Sequence, residues 1–245
     1  MQRKGRTMGI LDDLLPTLPD APVRKVLVGV HWTVVCSRGC GMASTLPVET
    51  GHRHGDVRDA GRLAEKGARE LAEYARSSDP VEAAIGVAAV NSLLEVDVSR
   101  AVEMNASRVL AARGRGKDVA LVGSFPFAPR LREEVGRLWV IEKRPAEGEH
   151  PAEAAAQLIP RADVVALTGS ALVNGTLDGL LALCRPGATV LVLGPSTPMS
   201  PVLFDHGATL LSGVLVVDEE AVLRTVAEGA CFRQVEGVRL LTLAR

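Results

Sequence analysis

Apolar residues follow two rhythms along this chain, and the change between them falls near residue 98. Before it the pattern is mixed. VRKVLVGVHWTVVCS, residues 23–37, is Val-rich and reads as a strand pair or one long bent strand. Gly39-Cys40-Gly41 reads as a turn, with MASTL continuing the sheet. Residues 59–76 place Ala60, Leu63, Ala64, Ala68, Leu71, Ala72 and Ala75 on one face of a 3.6-residue period, which predicts a helix. Its other face sets Glu65 against Arg69 and Arg69 against Glu73 at i,i+4 spacing. A second helix opens at Asp79-Pro80-Val81-Glu82: an N-cap, a proline at the first helical position and a Glu at the third. From 83 to 94 it is apolar on nearly every side, so it is expected to be buried, and Asn91 within it needs a partner, in the core or across a domain interface. Residues 10–20 read as a short amphipathic turn or helix stopped by Pro16 and Pro19.

After 98, short apolar runs alternate with helical stretches. Strands are expected at 118–123, 138–142, 163–168, 189–194, 208–217 and 238–243, with helices near 101–112, 129–136, 151–158, 177–185 and 201–205 and another capped by Asp218. The prediction is an α/β protein: an α+β module over 1–98, then a doubly wound, mainly parallel sheet over 99–245. Residues 1–9, with the basic run Arg3-Lys4-Gly5-Arg6, are expected to be a disordered tail, and 51–56 (GHRHGD) a polar loop.

Composition then removes whole classes of function. A net charge of −1 with 23% charged residues gives no electrostatic case for nucleic acid. The longest apolar runs fall well short of the ~18 residues of a membrane span. Asp12 and Asp13 interrupt the place of a signal-peptide core, so a cytoplasmic protein with four reduced cysteines is expected. At 3% aromatic content, the core must be Val, Leu, Ala and Ile.

Candidate chemistry gathers where parallel strands end, the edge at which open α/β sheets bind ligands. After the first such strand comes Gly123-Ser124-Phe125-Pro126-Phe127. Only the first glycine of a dinucleotide fingerprint survives there, and Pro126 removes a backbone donor, so a pyrophosphate cradle is not expected. Glu142, nineteen positions after Gly123 at the end of the next strand, stands where dinucleotide folds place a ribose acceptor. Thr168-Gly169-Ser170 ends the third strand, and Asn174-Gly175-Thr176 leads into the following helix, with Thr176 a natural cap. Gly194-Pro195-Ser196-Thr197-Pro198 follows the fourth strand, where two prolines stiffen a pair of hydroxyl residues. In the front half, His31, Cys36, Cys40, His52 and His54 are candidate soft-metal ligands, although C-x3-C and H-x-H are weak spacings and a buried Cys packs like a small hydrophobe.

These stretches carry a resemblance. VALVGSFPF, WVIEKRPAEGEHPAEAA, ADVVALTGSALVNGTLDGLL and LGPSTPMSPVLFDHGATLLSG resemble the Rossmann-like domain of the putative heavy-metal chelation family, a two-domain family of unknown biochemical function. VGVHWTVV, CGMASTLP, DAGRLAEKGARELAEYA and IGVAAVNSLL resemble its enolase N-terminal-like partner domain, so the resemblance runs from about 10 to 243. It implies a shared cleft between the two folds. Gly123, Glu142, Thr168, Asn174 and Gly194 through Thr197 (with Pro195 and Ser196) carry over as its Rossmann side, and Ser124, Phe125, Gly169, Ser170 and Thr176 in the same loops are ligand-binding candidates beside them. Asn91 and His31 carry over as the other wall, and His31 and Cys40 are the metal candidates.

The expectation is a small-molecule binder taking an oxygen-rich ligand or a metal-chelate between its domains, with a divalent metal or metal-chelate as cofactor. The expected partners are a small molecule and a second copy in a homodimer, with neither nucleic acid nor membrane. The rivals are a nucleotide- or S-adenosylmethionine-using enzyme, with Glu142 and His31 as proton-transfer candidates, a direct metal-binding protein, and a non-catalytic sensor or carrier.

Overall fold

The computed structural model describes residues 9–47 and 56–245. Residues 1–8 of the expected 1–9 tail, residues 51–55 of the GHRHGD loop and the candidates His52 and His54 lie outside the described residues; Gly9, placed in the tail by sequence, caps the first helix. In chain order the front elements are α1 (Ile10–Leu14), β1 (Lys25–Val28), β2 (Trp32–Cys36), β3 (Cys40–Ser44), α2 (Ala68–Ala72) and α3 (Pro80–Leu93). Then come β4 (Val102–Glu103), α4 (Ala106–Gly114), β5 (Asp118–Val122), α5 (Ala128–Glu134), β6 (Arg137–Glu142), β7 (His150–Pro151) and α6 (Ala155–Leu158). The last third holds β8 (Val164–Thr168), α7 (Ser170–Val173), α8 (Leu177–Ala182), β9 (Thr189–Leu193), α9 (Val202–Asp205), β10 (Leu210–Val216), α10 (Glu219–Ala227) and β11 (Val238–Ala244).

The fold is mixed α/β, with a three-stranded antiparallel sheet in the order β1-β2-β3 and an eight-stranded, mainly parallel sheet in the order β4-β11-β10-β9-β8-β5-β6-β7. The Val-rich run is a strand pair, and the Gly39 turn places Cys36 directly opposite Cys40. α3 begins as its sequence requires: the Asp79 carboxylate accepts from the amides of Val81 and Glu82 at 2.9 and 3.0 Å. Glu82 is buried, and bonds from the Arg58 and Ser77 side chains satisfy it. β3 lies on α3 so closely that a Cβ at Gly41 would meet the Ala88 carbonyl at 2.2 Å and the Ser92 amide at 2.3 Å. Only glycine permits that approach.

The predicted helix over 59–76 is cut to α2 between two 3₁₀ turns, Leu63–Glu65 and Glu73–Arg76. The left-handed backbone at Asp59 and Gly61 starts the segment as a turn, and the apolar face continues across separate pieces. Its ion pairs among the described residues are Arg62–Asp59, Lys66–Asp59, Lys66–Glu70 and Arg76–Glu73 rather than those expected from Glu65 and Arg69.

In the large sheet, residues alternate between two cores. Val165 and Leu167 face one that also contains Val35, Ala43, Ile85 and Leu177, while Val164 and Ala166 face another with Leu110 and Leu131. Both faces are covered, which explains why these strands read as unbroken apolar runs. The first of these cores is continuous from the small sheet into the large one. Strand order reverses between β5 and β8: the chain steps outward to β6 on one side and to β9 and β10 on the other. At such a switch point the connecting loops part and open a crevice. No helix among the described residues is long and apolar enough to cross a membrane.

Candidate functional site

A cavity of about 2000 Å³ opens at this crevice and is walled by both sheets. From the loop after β5 it receives Gly123, Ser124 and Phe125; from the end of β6, Glu142; from β8 and its loop, Thr168 and Ser170. Asn174 and Thr176 line it from the α7–α8 turn, and Gly194, Pro195 and Ser196 from the loop after β9. The small sheet contributes Trp32 and Ser44. Gly169, Thr197 and Asn91 lie behind the wall, with Thr197 only 2% exposed.

Hydrogen bonding assigns these residues different tasks. The Glu142 carboxylate accepts from the backbone amides of Ser124 (2.8 Å) and Lys143 (2.7 Å). It ties the β5 loop to the end of β6. Thr168 and Ser170 share a hydroxyl–hydroxyl bond of 2.9 Å and remain partly exposed on the cavity wall. Thr176 does not cap α8 with its side chain. Its hydroxyl donates to Asn174 Oδ1 at 2.6 Å, and its amide approaches the same oxygen at 3.2 Å, so Asn174 holds an Asx-type turn.

The Gly194–Thr197 loop is a seam. Ser196 Oγ accepts from the Ser44 amide at 2.8 Å and lies 3.1 Å from the Ser44 hydroxyl, at 1% exposure. Asn91 donates through Nδ2 to the Met42 carbonyl at 2.9 Å and reaches the Pro195 carbonyl at 3.5 Å, so it serves both the core and the junction. The loops of β8 and β9 are in direct contact: a Cβ at Gly169 would lie 2.6 Å from Thr197 Oγ1 and 2.7 Å from its amide. Three buried side-chain polar atoms have no partner among the described residues: Trp32 Nε1, Asn91 Oδ1 and Thr197 Oγ1. All belong to this wall or the seam behind it, and buried groups left unpaired are otherwise rare.

Two features of the wall escape a local reading of the sequence. The chain has only two Trp, one Tyr and four Phe. Of these, Phe125 and Phe127 stack with centroids 5.1 Å apart on one side of the cavity, and Trp32 and Phe232 meet edge to face at 5.5 Å on the other. The only local hint was the Phe-Pro-Phe run. The second feature is charge. Lys143, Arg144 and Arg233 are exposed on the wall, and none has an ion-pair partner among the described residues. Arg76, also on the wall, pairs with Asp12 at 2.6 Å.

The metal candidates separate. His31 is exposed in the β1–β2 turn rather than within a strand, and no cluster of metal-ligating side chains includes it among the described residues. Cys40 is joined to Cys36 in a disulfide, which corrects the expectation of four reduced thiols: the antiparallel register brings the two side chains face to face. Cys184 and Cys231 are free. Burial pushes the Cys184 thiol up to about 11, so it stays protonated.

Comparison with known proteins agrees with this architecture. Two family models, both described as putative heavy-metal chelation, match residues 11–94 and 105–245. An uncharacterized protein of Methanocaldococcus jannaschii is 28% identical over 193 residues, spanning 76% of this chain and 73% of that one. A crystal structure of a DUF364-family protein of unknown function from Desulfitobacterium hafniense DCB-2 superimposes with a TM-score of 0.87 at 29% identity, over 96% of this chain and 98% of the other. One from Pyrococcus horikoshii, also of unknown function, gives 0.81 at 22% identity over 96% and 98%, a likeness of fold.

Proposed function

The chain belongs to the putative heavy-metal chelation family, and on that premise we propose that it binds a small oxygen-rich anion, or a metal ion already wrapped by such an anion, in the cavity between its two sheets. The observation that carries this reading is the make-up of the cavity lining. The Thr168 and Ser170 hydroxyls at the switch point of the parallel sheet line the same cavity as Lys143, Arg144 and Arg233, which have no ion-pair partner among the described residues. Unpaired cations at a concave site attract and orient carboxylates or phosphates, and Arg does so bidentately.

Among the described residues, no three His, Cys, Asp or Glu ligands come together in this lining. In the proposed reading a metal ion enters the cavity already held by its chelator. Glu142 accepts from two backbone amides and so has a structural task that needs no ribose, which weighs against the nucleotide reading. Thr168 and Ser170 offer hydroxyl donors, while Phe125 and Phe127 bound the ligand with apolar faces.

Native mass spectrometry of the freshly purified full chain tests the reading. The expected spectrum shows a small-molecule adduct that is released on denaturation and lost from the K143E/R144E/R233E variant. An adduct unaffected by those three substitutions overturns it.

A further inference from the structure

A second site lies at the end of the β2–β3 hairpin remote from the cavity, and it stands independently of the cavity reading. We propose that Cys36, Cys40 and Glu219 form a redox-gated site for a thiophilic divalent cation. Among the described residues these three are the one group of metal-ligating side chains whose donor atoms all lie within 4.8 Å of one another. They come from two distant parts of the chain. The hairpin supplies the sulfurs, and the first turn of α10, which packs against β2 and β1, supplies the carboxylate.

The framework of the site does not depend on the disulfide. The β2–β3 ladder sets Cys36 opposite Cys40, and the turn is tied to α3 through the Gly39 amide, which donates to the Ser92 carbonyl at 2.9 Å. Glu219 is held by Arg24 at 2.7 Å. A crosslink closing so short a loop, across strands already hydrogen-bonded, removes little chain entropy. Stabilisation is therefore a weak explanation for pairing these cysteines beside a carboxylate.

The chemistry follows from the donors. Two thiolates and a carboxylate, whose charge the Arg24 guanidinium offsets in part, leave a net anionic trio suited to Zn²⁺ or Cd²⁺. Cys36 is fully buried while Cys40 and Glu219 are partly exposed, so the cation enters from their side and water completes its coordination. In the disulfide form no thiolate exists and the site is closed. An external dithiol opens it: the S–S bond takes up two electrons and two protons to give two thiols, and the reductant becomes a disulfide. Cation binding then releases both thiol protons. A bound cation in turn holds the sulfurs apart from oxidant.

Cadmium is the probe, in a C184S/C231S background that leaves only the hairpin thiols. The anaerobically reduced full chain is expected to develop one equivalent of thiolate-to-cadmium charge-transfer absorbance, and the oxidised chain none. C40S abolishes the band, and E219Q retains it with at least tenfold weaker binding. Because Cys40 is partly exposed, C40S is the informative thiol variant, and its circular dichroism and melting curve establish that it folds. No band on the reduced protein, an undiminished band in folded C40S, or unchanged affinity in E219Q each overturns the proposal.

Discussion

The loops that follow β8 and β9 look alike in sequence. Each ends a buried parallel strand and offers glycine and two hydroxyl side chains, Thr168 and Ser170 in one, Ser196 and Thr197 in the other. In the fold they do different work. The β8 loop sits at the switch point and keeps its hydroxyl residues partly exposed on the cavity. The β9 loop lies under the small sheet, where Ser196 satisfies the Ser44 amide and both its hydroxyl residues are buried. What distinguishes them is what stands across from each, not what each contains. A hydroxyl-rich loop at a strand end therefore marks either a ligand edge or a docking seam.

The largest test drives the two loops apart. Gly169→Ala places a methyl 2.6 Å from Thr197 Oγ1. Such overpacking is expected to cost about 3 kcal/mol in urea unfolding. A second test reaches the seam through α3, whose start Glu82 anchors and whose far end carries Asn91. Burial favours the protonated Glu82 carboxyl, but hydrogen bonds from Arg58 and Ser77 and the Arg58 charge outweigh it, and its pKa falls below the ordinary 4.5. The unfolded chain thus takes up this proton first. The stability Glu82 lends is whole above pH 4.5 and is lost as pH drops through the lower folded value. Glu82→Gln should cost about 2 kcal/mol near neutrality and flatten the acid limb of the stability curve. Ser196→Ala leaves the Ser44 amide without its acceptor, and about 1–2 kcal/mol should be lost in the same unfolding assay. Asn174→Ala removes the acceptor of the Asx turn and should cost about 1 kcal/mol. Thr168→Val, on the exposed side of the comparison, should change stability by about 0.5 kcal/mol or less.

Local pattern revealed most of the large sheet. Its central strands are apolar throughout because both faces are covered, and the Asp79 and Asp218 caps announce α3 and α10 directly. It failed at 59–76, where helical spacing survives but the turn at Asp59 and Gly61 breaks the backbone into short pieces. It also failed where the deciding contact is distant. Ser44 meets Ser196 across 152 positions, and nothing near either residue signals the pairing. The aromatic side chains were visible as residues, but the meeting of Trp32 with Phe232 was not. Nor did a C-x3-C spacing reveal that a hairpin would set Cys36 against Cys40, with Glu219 brought in from α10.

The most direct test of the ligand-binding claim is the melting temperature of wild type, Thr168→Val and Ser196→Ala, each with and without citrate, iron(III)–citrate or inorganic phosphate. At least one of these anions is expected to raise the wild-type melting temperature. That rise should be largely lost in Thr168→Val and kept in Ser196→Ala, whose baseline alone is lower. No rise in wild type with any of the three, or a rise lost in Ser196→Ala and kept in Thr168→Val, would contradict the ligand-binding claim.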